Sequence, residues 1–187
     1  TYPDGNEEVL SDFSLNIKEG AHIAIVGETG AGKSTLVNLL CRFYEPTKGK
    51  ILIGGRDIKE RSALWLHSQI GYVLQTPHLF SGTLRDNLLS VKPDATEEEI
   101  ASALRLVNAD EIVSRLPDGI DTPVGEGGDI LSVGEKQLIS FARAVLSDPK
   151  ILILDEVLSV GDEFFRKKSL ARIKEMIHGG STVLMVS

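Results

Sequence analysis

Eight residues, GETGAGKS from Gly27 to Ser34, form the first arrangement in this sequence whose residue types and spacing could do chemistry. They match the pattern G-x-x-x-x-G-K-[ST], and they stand between an apolar segment, AHIAIV, and a segment of helical character. Gly27, Gly30 and Gly32 allow the backbone to curl so that its N–H groups point inward, and a helix that follows adds partial positive charge. The sequence therefore predicts a loop that binds the phosphates of a nucleoside triphosphate.

The residues of this loop have separate expected contacts. Lys33 reaches the β- and γ-phosphates, the Ser34 hydroxyl is placed to ligate Mg²⁺, and Thr35 can contact the α-phosphate. The backbone N–H groups that line the phosphates belong to Gly27, Glu28, Thr29, Gly30, Ala31 and Gly32. The alternative is a glycine-rich turn that binds nothing, and the complete pattern between a strand and a helix disfavours it.

Two adjacent acids, Asp155 and Glu156, follow the apolar segment ILIL. Because ligands of open parallel sheets collect at the carboxyl ends of the strands, we expect these acids near the phosphate loop. Asp155 could hold Mg²⁺, directly or through water, and Glu156 could polarise the water that attacks the γ-phosphate. The alternative, acids that are only solvated or cap a helix, is disfavoured by the phosphate loop upstream.

The segment LSVGEKQ, residues 131–137, has the form of a helix start. Ser132 and Glu135 have the spacing of a capping box, and an apolar run with helical spacing follows them. These residues alone predict a helix cap, and they leave open whether a negatively charged ligand also sits on that helix end.

Apolar strands and helical patterns alternate along the chain and must position these residues. Strands are predicted in DFSLNI, AHIAIV, KILI, IGYVL, ILIL and TVLMV. Helices are predicted at about 34–44, at 63–67, after a capping box of Thr96 and Glu99, and at 164–177. Strands that are apolar on both faces and alternate with helices indicate an α/β domain with a largely parallel sheet.

The composition, 42% hydrophobic and 25% charged, is typical of a globular protein, and the net charge of −7 argues against a nucleic-acid-binding surface. One cysteine, Cys41, excludes an internal disulfide and is predicted to be a small buried hydrophobe. No apolar run approaches the roughly 18–20 residues that span a bilayer. The sequence stops directly after the strand TVLMV, and we expect the natural chain to continue.

In this order and spacing, the phosphate loop, the strand ending in two acids and LSVGEKQ resemble the nucleotide-binding domain of ATP-binding cassette (ABC) transporters. The resemblance covers essentially the whole chain and implies a P-loop NTPase. Residues 1–187 would form one ABC ATPase domain, with a RecA-like core at 1–75 and 148–187 and a small antiparallel β region. Residues 76–147 would form an inserted helical subdomain that carries the signature motif.

The resemblance implies further site residues. Tyr2 matches the aromatic residue that stacks on adenine, and Gln75 matches the glutamine that touches Mg²⁺ or water and faces the membrane domain. Gln75 is thereby both a catalytic candidate, with Glu156 and Lys33, and a metal-binding candidate. Asp162 falls at the aspartate of the family's next loop, and the histidine that senses the γ-phosphate would come just after residue 187.

LSVGEKQ matches the signature motif, which usually reads LSGGQ. In the family, two domains pack head to tail, and each signature helix points at the γ-phosphate bound by the other domain. Ser132, Gly134 and Glu135 are therefore nucleotide-binding candidates for the partner's ATP. Glu135 replaces the usual glutamine, and two readings stay open: it completes the capping box, or it weakens the ATP sandwich by repulsion.

The segments LFSGTLRDNL and LPDGIDTPVGEGG resemble exporters, whereas 156–177 resembles the ATPase subunits that export polysaccharides or teichoic acids. This contrast suggests a fusion of two sequences, with a junction between about Leu138 and Asp155.

The implied function is Mg²⁺-dependent ATP hydrolysis that powers export. The implied partners are a second nucleotide-binding domain and a transmembrane domain at the cytoplasmic face of the membrane, with neither nucleic acid nor direct membrane insertion. The alternative is an ATP-gated association module with negligible hydrolysis. A DNA-repair ATPase is disfavoured because no coiled coil separates the phosphate loop from LSVGEKQ. Other P-loop enzymes, such as kinases and GTPases, are disfavoured because they would leave LSVGEKQ unexplained.

Overall fold

The computed structural model of the chain describes residues 9–74, 76–155 and 180–186. Four predicted functional residues lie outside these ranges, namely Tyr2, Gln75, Glu156 and Asp162, as does the helix predicted at 164–177.

The strands and helices follow one another in the predicted alternation. The strands are β1 (His22–Ile25), β2 (Leu52–Ile53), β3 (Arg56–Asp57), β4 (Ile70–Val73), β5 (Ile151–Asp155) and β6 (Thr182–Val186). The helices are α1 (Lys33–Leu40), α2 (Ala63–Gln69), α3 (Leu84–Leu89), α4 (Glu97–Leu106), α5 (Asp110–Arg115) and α6 (Val133–Leu146). In the described part of the chain, no helix is both long and apolar enough to cross a bilayer.

The main sheet has the strand order β1-β6-β5-β4, and all its pairs are parallel, which confirms the predicted parallel sheet. Ile25 pairs with Val186, and Val186 pairs with Asp155, so these three residues form one row across the sheet. The chain that leaves β1 and the acid that ends β5 therefore emerge at the same edge, with only β6 between them.

Side chains alternate between two apolar layers, one on each face of the sheet. The sheet residues packed with α6 are Val73, Leu152, Leu154 and Val183. The sheet residues packed with α1 are Ile153, Leu184 and Val186. This alternation places α1 and α6 on opposite faces, and each fully buried aliphatic side chain contributes about 1.5–3 kcal/mol.

Cys41 follows α1 in the second layer and is 2% exposed, as predicted for a small buried hydrophobe. Burial raises the pKa of its thiol to about 11, so the thiol stays protonated. Gly71 of β4 allows close packing on the other face. A Cβ at this position would lie 2.8 Å from Pro149 Cγ and 3.3 Å from the Ala144 carbonyl oxygen, next to the end of α6.

The helical character predicted for 76–147 is confirmed. In α4, the Thr96 hydroxyl accepts from the Glu99 N–H and the Glu99 carboxylate accepts from the Thr96 N–H, which completes the predicted capping box. The predicted apolar face of Ile100, Leu104 and Val107 is buried.

Three predictions about local structure were wrong: one strand is absent, and one helix and one strand are shorter than predicted. DFSLNI forms no strand, because no described segment pairs with it through backbone hydrogen bonds. Its apolar residues Phe13 and Leu15 stay 52% and 48% exposed. Helix α1 ends at Leu40, and Arg42 adopts a left-handed φ of 56° that turns the chain. KILI forms only the two residues of β2, which pair with β3 as the antiparallel hairpin.

Candidate nucleotide-binding site

The loop between β1 and α1 has the curled backbone that its glycines predicted. Gly30 and Gly32 have φ values of 88° and 86°, in the left-handed region that glycine adopts without strain. The Ala31 N–H donates to the Glu28 carbonyl oxygen at 3.1 Å, so the loop closes a turn on itself. Gly32 also fits tightly, because a Cβ there would lie 3.0 Å from Leu10 Cδ2.

The N-terminus of α1 is uncapped. Gly32 occupies the N-cap position, no side chain in the described part of the chain caps the helix by a hydrogen bond, and the first turn contains no acid. The first N–H groups of a helix have no partner within the helix, and they carry the positive end of its dipole. Ser34 is exposed in this first turn. The geometry therefore suits an anion that arrives from outside the chain.

Lys33 lies across the same loop. Its ammonium group donates to the Gly27 carbonyl oxygen and, at 3.1 Å, to the Glu28 carbonyl oxygen. These acceptors are neutral carbonyl dipoles, whereas phosphate oxygens carry negative charge, so a phosphate adds a charge–charge attraction that the carbonyl oxygens lack. The ammonium is thus held at the loop by partners that a phosphate group would outcompete.

Asp155 ends β5 at the edge of the sheet where the loop emerges, as predicted, and it is half-buried. The Tyr72 hydroxyl donates to Asp155 Oδ2 at 3.0 Å. Burial, and next the negative charge of Asp155, raise the pKa of Tyr72, so the hydroxyl keeps its proton. Tyr72 is not among the site residues predicted from the sequence, because the pattern of IGYVL indicates only a strand. The alternation of side chains along that strand does place Tyr72 and Val73 on opposite faces of the sheet.

These groups fit a triphosphate with Mg²⁺. The described residues contain no cluster of three or more His, Cys, Asp or Glu that could form an all-protein metal cage. Mg²⁺ rarely needs one, because it typically takes one or two protein ligands together with substrate phosphates and water. The Ser34 hydroxyl at the start of α1 and the Asp155 carboxylate at the end of β5, on the same edge of the sheet, are such a donor set.

The start of α6 has the predicted capping box in full. The Ser132 hydroxyl accepts from the Glu135 N–H at 3.3 Å, and Glu135 Oε2 accepts from the Ser132 N–H and hydroxyl, each at 2.8 Å. Arg115 Nη2 donates to the other oxygen, Glu135 Oε1, at 2.5 Å. The hydrogen bonds from the Ser132 backbone and hydroxyl, and then Arg115, lower the pKa of Glu135.

The surroundings of this helix start are open. Val133 is 58% exposed, and Ser132 is exposed beside it. A Cβ added to Gly134 would meet no described atom within 4 Å, so the packing described does not explain why a glycine stands there.

The structure brings together one half of the predicted site. The loop residues and Asp155 share one sheet edge, whereas Ser132, Gly134 and Glu135 begin a helix that packs on the opposite face from α1. Tyr2, Gln75 and Glu156 lie outside the described residues, so their predicted contacts remain predictions.

Comparison with protein families matches residues 10–159 to the family described as "ABC transporter". "ABC transporter B family member 1" of Arabidopsis thaliana is 42% identical over 186 residues, which are 99% of this chain and 14% of that protein. "Probable multidrug resistance ABC transporter ATP-binding/permease protein YheH" of Bacillus subtilis is 52% identical over 155 residues, which are 83% of this chain and 23% of that protein.

Among solved structures, a bacterial Atm1-family ABC exporter with ATP bound matches with a TM-score of 0.93 and 35% identity. The match covers 99% of this chain and 32% of that one, so the chain spans less than a third of each protein compared here. The predicted α/β P-loop fold is confirmed by this likeness. The fusion hypothesis gains no support, because one natural protein aligns with nearly the whole chain.

Proposed function

The chain belongs to the ABC transporter family, and from this premise we propose that it binds ATP with Mg²⁺ and hydrolyses it to ADP and phosphate. The observation that carries the proposal is the uncapped, glycine-curled start of α1, which lies at the same sheet edge as Asp155. Such a helix start is a ready anion site, and the acid beside it supplies a ligand for a metal ion on the phosphates.

The phosphates bind to the loop through charge and backbone dipoles. Lys33 exchanges the carbonyl oxygens of Gly27 and Glu28 for the β- and γ-phosphates, and the backbone N–H groups of the loop donate to the same oxygens. Thr35 contacts the α-phosphate, and Tyr2 stacks on the adenine.

The metal is held by Ser34 and Asp155, with Gln75 as a third ligand. When bound, Mg²⁺ neutralises charge on the β- and γ-phosphates. Glu156 orients the attacking water, assisted by Gln75, while Lys33 stabilises the charge that develops on the phosphate oxygens. Removal of one preorganised donor from such a site costs about 3–4 kcal/mol, or roughly 10²–10³ in rate.

A second copy of the domain completes the site. Ser132 and Gly134 at the start of α6 contact the γ-phosphate bound by the partner. The open surroundings of Gly134 and the exposure of Val133 support this, because both leave room for a close approach. Residues 1–75 and 148–187 act as the nucleotide-binding core, and 76–147 as the helical subdomain that presents α6.

The domain works with a membrane domain at the cytoplasmic face of a membrane and powers export. One relative is named an ATP-binding/permease protein and one solved relative an ABC exporter, and this chain covers only the smaller part of each. Export and the membrane partner are thus properties of a larger assembly.

Calorimetry with Mg·ATP tests the binding step directly, and phosphate release measured over a range of protein concentrations tests hydrolysis. We expect saturable binding, and a specific activity that rises with protein concentration because two chains form each site. Absence of binding at millimolar Mg·ATP would contradict the proposal. A high rate that is independent of concentration would contradict the paired site alone.

A second candidate is an association module that binds ATP but scarcely hydrolyses it. It is favoured by one observation: the Ser132 hydroxyl already donates to Glu135, so it is engaged within its own chain. Sedimentation with ATP and phosphate release in the same samples separate the two functions, since a module would associate without turnover.

A further inference from the structure

Tyr72 connects the helix behind the phosphate loop with the acid at the end of β5. Its ring packs against the apolar layer that contains Val37 and Cys41 from the α1 region and Ile153 from β5. Its hydroxyl reaches Asp155 Oδ2 at 3.0 Å, across 83 residues of sequence.

The register of the sheet explains this contact. Tyr72 of β4 pairs with Ile153 of β5, and Asp155 follows Ile153 by two residues on the same face of the strand. Two residues of strand rise by roughly 6.6 Å, a distance that the ring and hydroxyl of a tyrosine span along the neighbouring strand. A phenylalanine in the same place would fill the same space but donate no hydrogen bond.

We propose that Tyr72 is a positioning residue for the metal ion: its hydroxyl holds Oδ2 of Asp155 and so fixes the rotation of the carboxylate, with Oδ1 left for Mg²⁺ or its water. This inference rests on the proposed function, in which Asp155 serves Mg·ATP. Without such a partner, a carboxylate at the end of a strand rotates about its side-chain bonds. Fixing its rotation when the metal binds then costs conformational entropy, which lowers the metal affinity. Mutation of a residue that hydrogen-bonds to a metal ligand typically lowers the metal affinity about 10–100-fold.

The test compares ATP affinity in excess Mg²⁺ with ATP affinity in EDTA, by calorimetry on the chain and its variants. The ratio of the two dissociation constants measures how strongly the metal assists binding. Tyr72→Phe keeps the ring and removes only the hydroxyl. We expect it to leave the affinity in EDTA unchanged and to lower the Mg²⁺ assistance about 10-fold, at the lower end of the range for such partners.

Tyr44→Phe is the matched control, because it removes a tyrosine hydroxyl from the turn after α1, and it should keep the wild-type ratio. Asp155→Asn closes a double-mutant cycle. If Tyr72 acts through Asp155, then Tyr72→Phe should have no further effect on the ratio once Asp155 is an asparagine.

The outcomes separate this inference from the proposed function. If Tyr72→Phe keeps the wild-type ratio, the proposed role of Tyr72 is wrong. An equal loss of affinity with and without Mg²⁺ also overturns it, because such a loss indicates damage to the packing of the loop. Equal wild-type affinity with and without Mg²⁺ overturns it too. If the wild-type chain binds no ATP under either condition, the proposed function itself fails.

Discussion

Helices α1 and α6 both begin beside a glycine in a segment predicted to contact phosphate, yet their first turns are built in opposite ways. The start of α1 has no side-chain cap and no acid, and a lysine lies over the loop before it. The start of α6 has a complete capping box, and its carboxylate receives three hydrogen bonds, two from Ser132 and one from Arg115.

The contrast distinguishes a helix start that suits an external anion from one whose N–H groups find acceptors in their own chain. The four N–H groups that a helix leaves unpaired must find acceptors in the chain, in water or in a ligand. At α6, the Glu135 carboxylate accepts from the Ser132 N–H and the Ser132 hydroxyl accepts from the Glu135 N–H, so two of these groups are paired within the chain. At α1, no side chain among the described residues accepts in this way, and a ligand is the expected acceptor.

The largest expected effect is at α1. Lys33→Ala removes a charged donor to the phosphates, and we expect the dissociation constant for Mg·ATP to rise on the order of 100-fold, or about 2.7 kcal/mol. Calorimetry measures this change directly. Lys18→Ala, at an exposed position in the turn before β1, is the control for the loss of one positive charge. If Lys33→Ala binds as tightly as Lys18→Ala, the loop is not the phosphate site.

A second variant makes α1 resemble α6. Thr35→Glu places a carboxylate in the third helical position of α1, the position that Glu135 occupies in α6. Because like charges repel strongly at short range near a protein surface, we expect Mg·ATP affinity to fall about 10-fold below that of Thr35→Gln. The two side chains have nearly the same size, so the comparison isolates the charge. Equal affinities would show that the first turn of α1 lies away from the phosphates.

Much of this contrast was readable from the sequence, and its missing parts share one cause. The phosphate loop, the acid after ILIL and the box of Ser132 and Glu135 are patterns within a few residues, so local spacing predicted them. Arg115 contacts Glu135 over 20 residues and Tyr72 contacts Asp155 over 83. Such contacts depend on how the elements pack, which periodicity does not report.

The strand predicted in DFSLNI failed for a related reason. Alternation of apolar and polar residues describes a strand only when another strand pairs with it and a layer covers its apolar face. Phe13 and Leu15 have neither among the described residues.

A smaller effect is expected when α6 is made to resemble α1. Glu135→Gln keeps a side chain that can complete the box but removes the charge that is predicted to lie near the partner's nucleotide. If the carboxylate repels the partner's phosphates, half-maximal ATP-dependent association should need about 3–10-fold less protein, measured by sedimentation with Mg·ATP. Such a shift corresponds to about 0.7–1.4 kcal/mol.

Arg115→Ala provides the opposite test, because Arg115 offsets the charge of Glu135. In the wild-type background it should weaken association, and in the Glu135→Gln background it should have little effect. If Glu135→Gln leaves association unchanged, the glutamate serves only as a cap, the first of the two readings left open by the sequence.

The smallest expected effect concerns stability, and it asks whether the cap at α6 differs from an ordinary cap. Ser132→Ala and Thr96→Ala each remove an N-cap hydroxyl from a complete capping box, so each should lower the free energy of unfolding by about 1 kcal/mol in denaturant titrations. Only Ser132→Ala should also reduce ATP-dependent association, since α4 has no predicted contact with nucleotide. Equal association by the two variants would mean that Ser132 is a cap and nothing more, and the partner's phosphate would then have to be bound by backbone N–H groups such as that of Gly134.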